Sequence, residues 1–333
     1  MPEISVILLV YNGAHVIERA IRSLLNQSWT DFELIVVNDG SDDRSSEIVT
    51  ALSDPRIQIV KQPHQGVWAA MNYGLDQASG NFIARMDADD IAHETRLEQQ
   101  RQLLMKGVDV VGSKVRILRD ADGRMEPVPS LARYENWINT ETATPEQILA
   151  LRFVEFPLVN PTIMARRPYW NLLCRDDSFP EDYDLMLRGA AAGMTFAKVD
   201  DVLLDWIDSD QRLTRQHPRY STAAFMACRR QRFLEGPLDH VEVVDLWGAG
   251  KTGKPWLLWL QQNGIRIRSV YEVNPRKTGT EIHGVPVRSP EQMPPTDGTL
   301  LVIAVGAVGA RKLIMDHIQQ RGHRPGVDAW FVA

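Results

Sequence analysis

The chain has 333 residues, 44% of them hydrophobic, enough apolar material for one large core or two ordinary ones, and two domains are expected at this length. A formal net charge of −6 argues against duplex nucleic acid as a partner, and anionic ligands would need local positive charge or a metal. The only two cysteines, Cys174 and Cys228, lie far apart and fit reduced thiols in a cytosolic protein better than a disulfide framework.

The opening "MPEISVILLVYN" carries an acid where a secretory leader carries positive charge, and its apolar run reads as a first strand. Ile17, Ala20, Ile21, Leu24 and Leu25 then follow at helical spacing. "FELIVV" is a second strand with a helix from Asp42 to Leu52 behind it, and "IQIV" a third, followed by a helix carrying Ala70, Met71, Gly74, Leu75 and Ala78. "FIARM" is a fourth strand running into the acidic "DADD", and "VDVVG" a fifth after a helix over Arg96–Met105. Short apolar runs alternating with amphipathic segments build a mainly parallel sheet covered by helices, an α/β fold.

Beyond Ser113 the pattern loosens. A hairpin turn is expected at Asp122-Gly123, a helix over Pro145–Arg152, a strand over "NPTIMARR" and a helix opening at "PEDYDLMLRGA". A last helix over Thr222–Leu234 carries "RRQRF", read as a solvated face, the alternative being a patch for anionic lipid or a charged acceptor. "EGPLDH" breaks the pattern at Gly236 and Pro237, which sets expected domains of 1–236 and 237–333. After it "VEVVDLW", a glycine loop, a helix, "IRIRSVYEV" and "LLVIAVG" restart a smaller α/β unit. "LLVIAVGAVGA" is too short and glycine-rich to span a bilayer, so a cytoplasmic location is expected, compatible with peripheral attachment to a membrane.

In a parallel sheet the ligand crevice lies at the carboxyl ends of the strands. Three loops there carry unusual chemistry. "VYNG" offers the flat ring of Tyr11 and the amide of Asn12; "VNDGSDD" places Asp39 where its carboxylate can accept an N–H from a pyrimidine ring. "RMDADD" sets Asp87 and Asp89 two residues apart, oxygen ligands suited to Mg²⁺ or Mn²⁺ bridging a diphosphate. Asp-rich turns also serve as helix caps, and Asp90 is expected to cap the following helix.

The stretches "SVILLVYNG", "LIVVNDGSDDRS", "HQGVWAAMNYGLDQASGNFIARMDADDIAHETRLEQQ" and "EDYDLMLR" resemble family 2 glycosyltransferases of the GT-A fold. The resemblance implies that Tyr11 and Asp39 hold the nucleobase and that Asp87 and Asp89 meet ribose, diphosphate and metal, with Asp89 the direct metal ligand. Many relatives carry an arginine near Met71 and a proline at Glu94; the first departure leaves open which residue helps compensate diphosphate charge, with Arg85 a candidate. By the same resemblance Asp182 is the base that takes the acceptor hydroxyl's proton, with Glu181 orienting it or binding acceptor; on local grounds alone, acids in a helix's first turn can be simple capping. His217 and His64 are weaker candidates: by the resemblance His217, in "RLTRQHPRYS", falls where several relatives have a loop that closes over the donor and sometimes supplies a metal-binding histidine, but it is read as a surface residue, and His64 is read as part of a loop over the nucleotide. Asn160 and Thr162 are read as structural.

"GAGKTGK" fits two templates. As a phosphate loop it lacks the hydroxyl residue after Lys254, because position 255 is proline. As G-x-G-x-x-G it offers Gly248, Gly250 and Gly253 between strand and helix, with Glu272 at the next strand's end where an acid can bond a ribose. The rest resembles the Rossmann-like nucleotide-binding domain of sugar acyltransferases, implying a nucleotide, nucleotide-sugar or coenzyme ligand; glycines kept only for close packing are the alternative. The function expected is metal-dependent inverting transfer of a sugar from a UDP-type donor to a glycan, lipid-linked or small-molecule hydroxyl. The alternatives are a nucleotidyltransferase or a nucleotide-binding scaffold acting through the C-terminal domain.

Overall fold

The computed structural model describes residues 1–121, 123–173, 179–210, 212–307 and 309–333. The chain forms two compact units, one of residues Met1–Ile148 with Pro157–Cys228, the other of Leu149–Phe156 with Arg229–Ala333. The division falls inside the helix Thr222–Glu235, ahead of the Gly236-Pro237 break expected from sequence, and the second unit also takes the short segment after Ile148.

The first unit's strands are β1 (Ile4–Val10), β2 (Phe32–Asp39), β3 (Ile57–Gln62), β4 (Phe82–Asp87), β5 (Ile91–Ala92), β6 (Val110–Ala121), β7 (Arg124–Pro127), β8 (Met164–Arg166) and β9 (Phe196–Ile207). Among the described residues they form one sheet in the order β3-β2-β1-β4-β8-β6-β9-β5, with β7 added on β6. β1 to β4 run parallel, so their carboxyl ends share one edge. β8 is antiparallel to both β4 and β6, and β6 pairs in parallel with β9. The helices of the first half are α1 (Ile17–Leu25), α2 (Ser45–Ala51), α3 (Val67–Gln77) and α4 (Arg96–Met105). α1 forms because Ile17, Ala20, Ile21 and Leu24 make one apolar stripe, buried against β1, β2 and β4, while Glu18 and Arg22 pair one turn apart on the wet side. Burying the four at about 25 cal/mol per Å² makes that face the helix's main stabilisation.

Further along come α5 (Ala132–Asn136), α6 (Pro145–Leu151), α7 (Arg167–Trp170), α8 (Glu181–Ala191), α9 (Leu213–Gln216) and α10 (Thr222–Glu235). The "NPTIMARR" strand is shorter than expected: Asn160–Thr162 is a 3-10 turn and only Met164–Arg166 pairs with the sheet. The expected hairpin is present as the β6–β7 pair, closing on Ala121 and Arg124; Asp122 lies outside the described residues, as does Cys174. Cys228 is a buried thiol, 3.8 Å from Asp184.

The second unit holds β10 (Val243–Trp247), α11 (Gly253–Gln262), β11 (Arg266–Tyr271), β12 (Glu281–Ile282), β13 (Val285–Arg288), β14 (Leu300–Ile303), α12 (Ala310–Gln320) and β15 (Ala329–Phe331). Its sheet order is β12-β13-β11-β10-β14-β15, parallel except for β12. Strand order therefore reverses beside β10, the place where open parallel sheets leave a crevice. Among the described residues no helix of either unit is long and apolar enough to cross a membrane.

Candidate active site

The edge made by the ends of β1 to β4 carries the first cluster. Asn12 adopts a left-handed φ of 50°, donates its N–H to Ser41 and accepts from the Asp42 N–H on its side-chain oxygen. The N–H groups of Gly13 and Ala14 reach Ser45 and Asp43. The β1 loop is thereby stitched to the loop after β2, and these bonds shorten the helix expected from Asp42: Asp43 and Ser45 are occupied with the neighbouring loop, so α2 starts at Ser45. Stitched this way, Tyr11 projects into solvent, half exposed, and its ring stacks on His64 at a centroid distance of 4.0 Å and an interplanar angle of 21°. Asp39 is buried at the end of β2 and accepts from Gln62 Nε2 at 2.6 Å, Gln65 N at 3.0 Å, Gly66 N at 2.8 Å and His64 Nδ1 at 2.9 Å.

The second cluster joins the end of β4 to the start of α8. Arg85 is buried, donates to Asp87 at 3.1 Å and, from its carbonyl, accepts a bond from Arg96. Burial works against its charge, but Asp87, Glu181 and Asp182 together hold it protonated more firmly than an ordinary arginine. The guanidinium expected to answer a diphosphate is thus turned onto the protein's own carboxylates. Glu181 is buried and accepts the Tyr220 hydroxyl on both oxygens, at 2.9 and 2.7 Å, with Arg219 Nη1 at 3.6 Å. Asp182 beside it is partly open to solvent; burial first, and the Glu181 charge second, push its carboxyl up to about 7 against the pull of Arg85. A carboxyl poised there can take a proton near neutral pH.

Between the two clusters lies the acid run. A methyl group on Gly13 would sit 3.8 Å from the Ala88 side chain, so the β1 loop and the run are neighbours. Asp89 is raised from its ordinary range by burial and by Asp87, against Arg212 and Arg19. Asp90 is raised too, by burial and then by Asp89 and Asp87. It does not cap α4 as expected: Thr95 precedes that helix, and Asp90 instead accepts the Ile207 N–H at the end of β9, leaving its buried Oδ2 without a hydrogen-bond partner. Acids that raise one another and an orphaned carboxylate oxygen are what a hard cation would relieve. Among the described residues no three His, Cys, Asp or Glu side chains converge on one point. A cation here would therefore draw one or two protein oxygens, from Asp89 and Asp87, and complete its shell with phosphate and water, as Mg²⁺ commonly does.

In the segment after β9 the sequence pointed to His217 but not to Arg212, Arg219 or Tyr220. Arg212 stacks over Trp206 at 3.9 Å and faces Asp89 and Asp90, while Arg219 and Tyr220 reach Glu181. The signal was "RLTRQHPRY", whose cations stand opposite an acidic crevice. His217 is exposed and accepts the Arg219 N–H on its own ring, and Asn160 and Thr162 are buried in the turn before β8.

In the second unit a cavity of about 570 Å³ opens at the crevice beside β10, lined among others by Gly248, Gly250, Glu272, Lys277, Gly306 and His317. Two of the three glycines have packing reasons: Gly248 has φ 122° with Ala304 O 2.6 Å from where a Cβ would stand, and a Cβ on Gly253 would be 1.8 Å from Gly248 O. Gly250 meets nothing of the protein and opens onto the cavity. Glu272 accepts from Ala249 N and Lys277 Nζ, both at 3.3 Å.

Residues 5–168 match the family model of glycosyl transferase family 2. The N-terminal unit belongs to that family. An uncharacterized glycosyltransferase, EpsJ, of Bacillus subtilis is 36% identical to the chain over 221 residues, covering 64% of this chain and 63% of the relative. One from Haemophilus influenzae is 39% identical over 109 residues, covering 32% of this chain but only 44% of its own length, so the chain spans about half to two thirds of these relatives. Crystal structures of S. aureus TarS 1-349 with UDP and with UDP-GlcNAc superpose with TM-scores of 0.52 and 0.53 at 21% identity, each covering 71% of this chain and 67% and 68% of TarS 1-349. At that identity they establish the GT-A fold of the family 2 unit. Residues 242–324 match a CoA binding domain, in keeping with the Rossmann-like sheet of the second unit.

Proposed function

We propose that the family 2 unit is an inverting glycosyltransferase that moves a sugar from a UDP-type nucleoside-diphosphate sugar to an acceptor hydroxyl in glycan or polysaccharide biosynthesis. The observation that carries the proposal is the union, through Arg85, of the acid run at the end of β4 with Asp182 at the start of α8, on a sheet edge where the strands before the Tyr11 and Asp39 loops also end. The unit's likeness to glycosyltransferases, and to TarS crystallised with UDP and with UDP-GlcNAc, supports the same reading.

In this reading Tyr11 and Asp39 receive the base, and Asn12 keeps the Tyr11 loop in position. Asp182 removes the proton of the acceptor hydroxyl as its oxygen bonds to the anomeric carbon; the bond from that carbon to the diphosphate oxygen breaks and its electron pair leaves with the nucleoside diphosphate. Bound Mg²⁺ or Mn²⁺, held by Asp89 with Asp87, would supply neutralisation of the leaving diphosphate. Glu181, tied by Tyr220 and Arg219, keeps Asp182 basic enough to accept a proton near neutrality. Arg85 acts by fixing Asp87 and moderating the Glu181–Asp182 pair rather than by meeting phosphate.

For the second unit we propose a nucleotide-containing ligand, its phosphates over Gly250 and its ribose toward Glu272, because Gly250 alone of the three glycines has no packing role and faces the cavity. A thermal-shift screen of nucleotide sugars with Mn²⁺ tests the first reading: UDP-sugars should raise the melting temperature and Asp89→Ala should abolish the shift. Pyrophosphate release from a nucleoside triphosphate and a sugar phosphate, with no response to UDP-sugars, would favour a nucleotidyltransferase instead.

A further inference from the structure

His64 makes, within the protein, both contacts that the proposed function assigns to the donor's base. Its flat ring lies on Tyr11 at 4.0 Å and 21°, and its Nδ1 stands 2.9 Å from Asp39 Oδ2 and 3.1 Å from the Asp39 carbonyl oxygen. Both neighbours are acceptors only, so Nδ1 carries the proton and donates. A uracil presents the same pair of features, a flat face and one ring N–H.

The Asp39 carboxylate has no vacancy for a further donor. Oδ1 holds Gln62 and Gln65 N, Oδ2 holds Gly66 N and His64, which together fill about four lone-pair sites. Two of these donors are backbone amides at the entry to α3, and the third extends from β3 itself. His64 is the one whose departure disturbs neither strand nor helix, and its side chain is 53% exposed.

We propose that His64 fills the nucleobase subsite as an internal surrogate, and that the donor's base binds by displacing it from Tyr11 and Asp39. His64 thereby sets donor affinity: part of what base stacking and hydrogen bonding contribute is spent in releasing an equivalent stack and bond. The inference rests on the nucleobase reading of Tyr11 and Asp39.

The test is calorimetry on the full chain with Mg²⁺ and either UDP or pyrophosphate. Releasing one aromatic stack and one hydrogen bond corresponds to a factor of about 5 to 30, so His64→Ala should bind UDP tighter by that factor. Pyrophosphate has no base and displaces nothing, so its affinity should be the same in wild type and variant. Unchanged or weaker UDP binding by His64→Ala overturns the proposal, because weaker binding is what a base resting on His64 would produce. Tyr11→Ala and Asp39→Ala separate the two ideas: if both leave UDP affinity intact, the nucleobase reading itself fails and the proposal with it. In wild-type protein the His64 ring resonance, identified by its loss in His64→Ala, should move from an upfield, ring-stacked position toward that of a solvated imidazole as UDP is added; a resonance that stays stacked at saturation contradicts displacement.

Discussion

Replacing Glu181 with glutamine should shift the acid limb of the rate profile without removing the base. Burial and the Glu181 charge are the two largest influences that push Asp182 up to about 7. Because a general base works only when deprotonated, kcat/KM of the wild type should fall as pH drops through 7, by about tenfold per unit, reaching about one hundredth of the plateau near pH 5. Removing one like charge from the pair should lower the limb by about one unit, a differential interaction of about 1.4 kcal/mol. Glutamine still accepts the Tyr220 hydroxyl, so the start of α8 keeps that anchor. The assay is initial-rate release of UDP from a UDP-sugar as a function of pH for wild type, Glu181→Gln and Asp182→Asn. Asp182→Asn should be inactive throughout. A wild-type limb in the ordinary carboxylate range near pH 4, or a Glu181→Gln limb that stays put or moves up, refutes the coupling of the two acids.

Other consequences follow from the same geometry. Tyr220→Phe removes the hydroxyl that bonds both Glu181 oxygens and should move the acid limb while leaving KM for the donor within about twofold, as separate kcat and KM measurements would reveal. Asp89→Ala should abolish the extra thermal stability that Mn²⁺ and UDP confer together, read by calorimetric melting; an undiminished shift contradicts its role as metal ligand. In the second unit Gly253→Ala forces a Cβ into Gly248 O and should destabilise that unit by more than about 3 kcal/mol, seen as faster amide exchange along β10. Gly250→Ala has room for its methyl and should leave exchange unchanged while weakening whichever nucleotide ligand the cavity takes; equal exchange in both variants contradicts the division of glycine roles.

Much of this was legible because the first half of the chain obeys simple patterns. Short, mostly apolar runs such as "ISVILLV" and "FELIVV" suit strands buried on both faces, and setting them in parallel places Tyr11, Asp39 and Asp87 at one edge of the sheet. The later sheet was harder to see. β9, "FAKVDDVLLDWI", has no clean alternation: three acids, Asp200, Asp201 and Asp205, interrupt it, and its pairing with β6 shifts register between Ser113 and Val115. Local rules also gave way where side chains serve distant partners. Asp90 has the position of a cap but bonds Ile207, far away in sequence, and Arg85 looks like a phosphate ligand but is buried under carboxylates that only the fold brings near. Tyr220 and Arg219 escaped notice for the same reason: "RLTRQHPRY" displays cations, but nothing near it in sequence says which carboxylate they meet.

Donor turnover in the presence of Mn²⁺, compared between wild type, Asp89→Ala and Asp182→Ala, bears most directly on the claim that the acid run and α8 form one transferase site. Release of UDP from a UDP-sugar should fall at least about a hundredfold in each variant while both remain folded. Undiminished release in the Asp182 and Asp89 variants would contradict it.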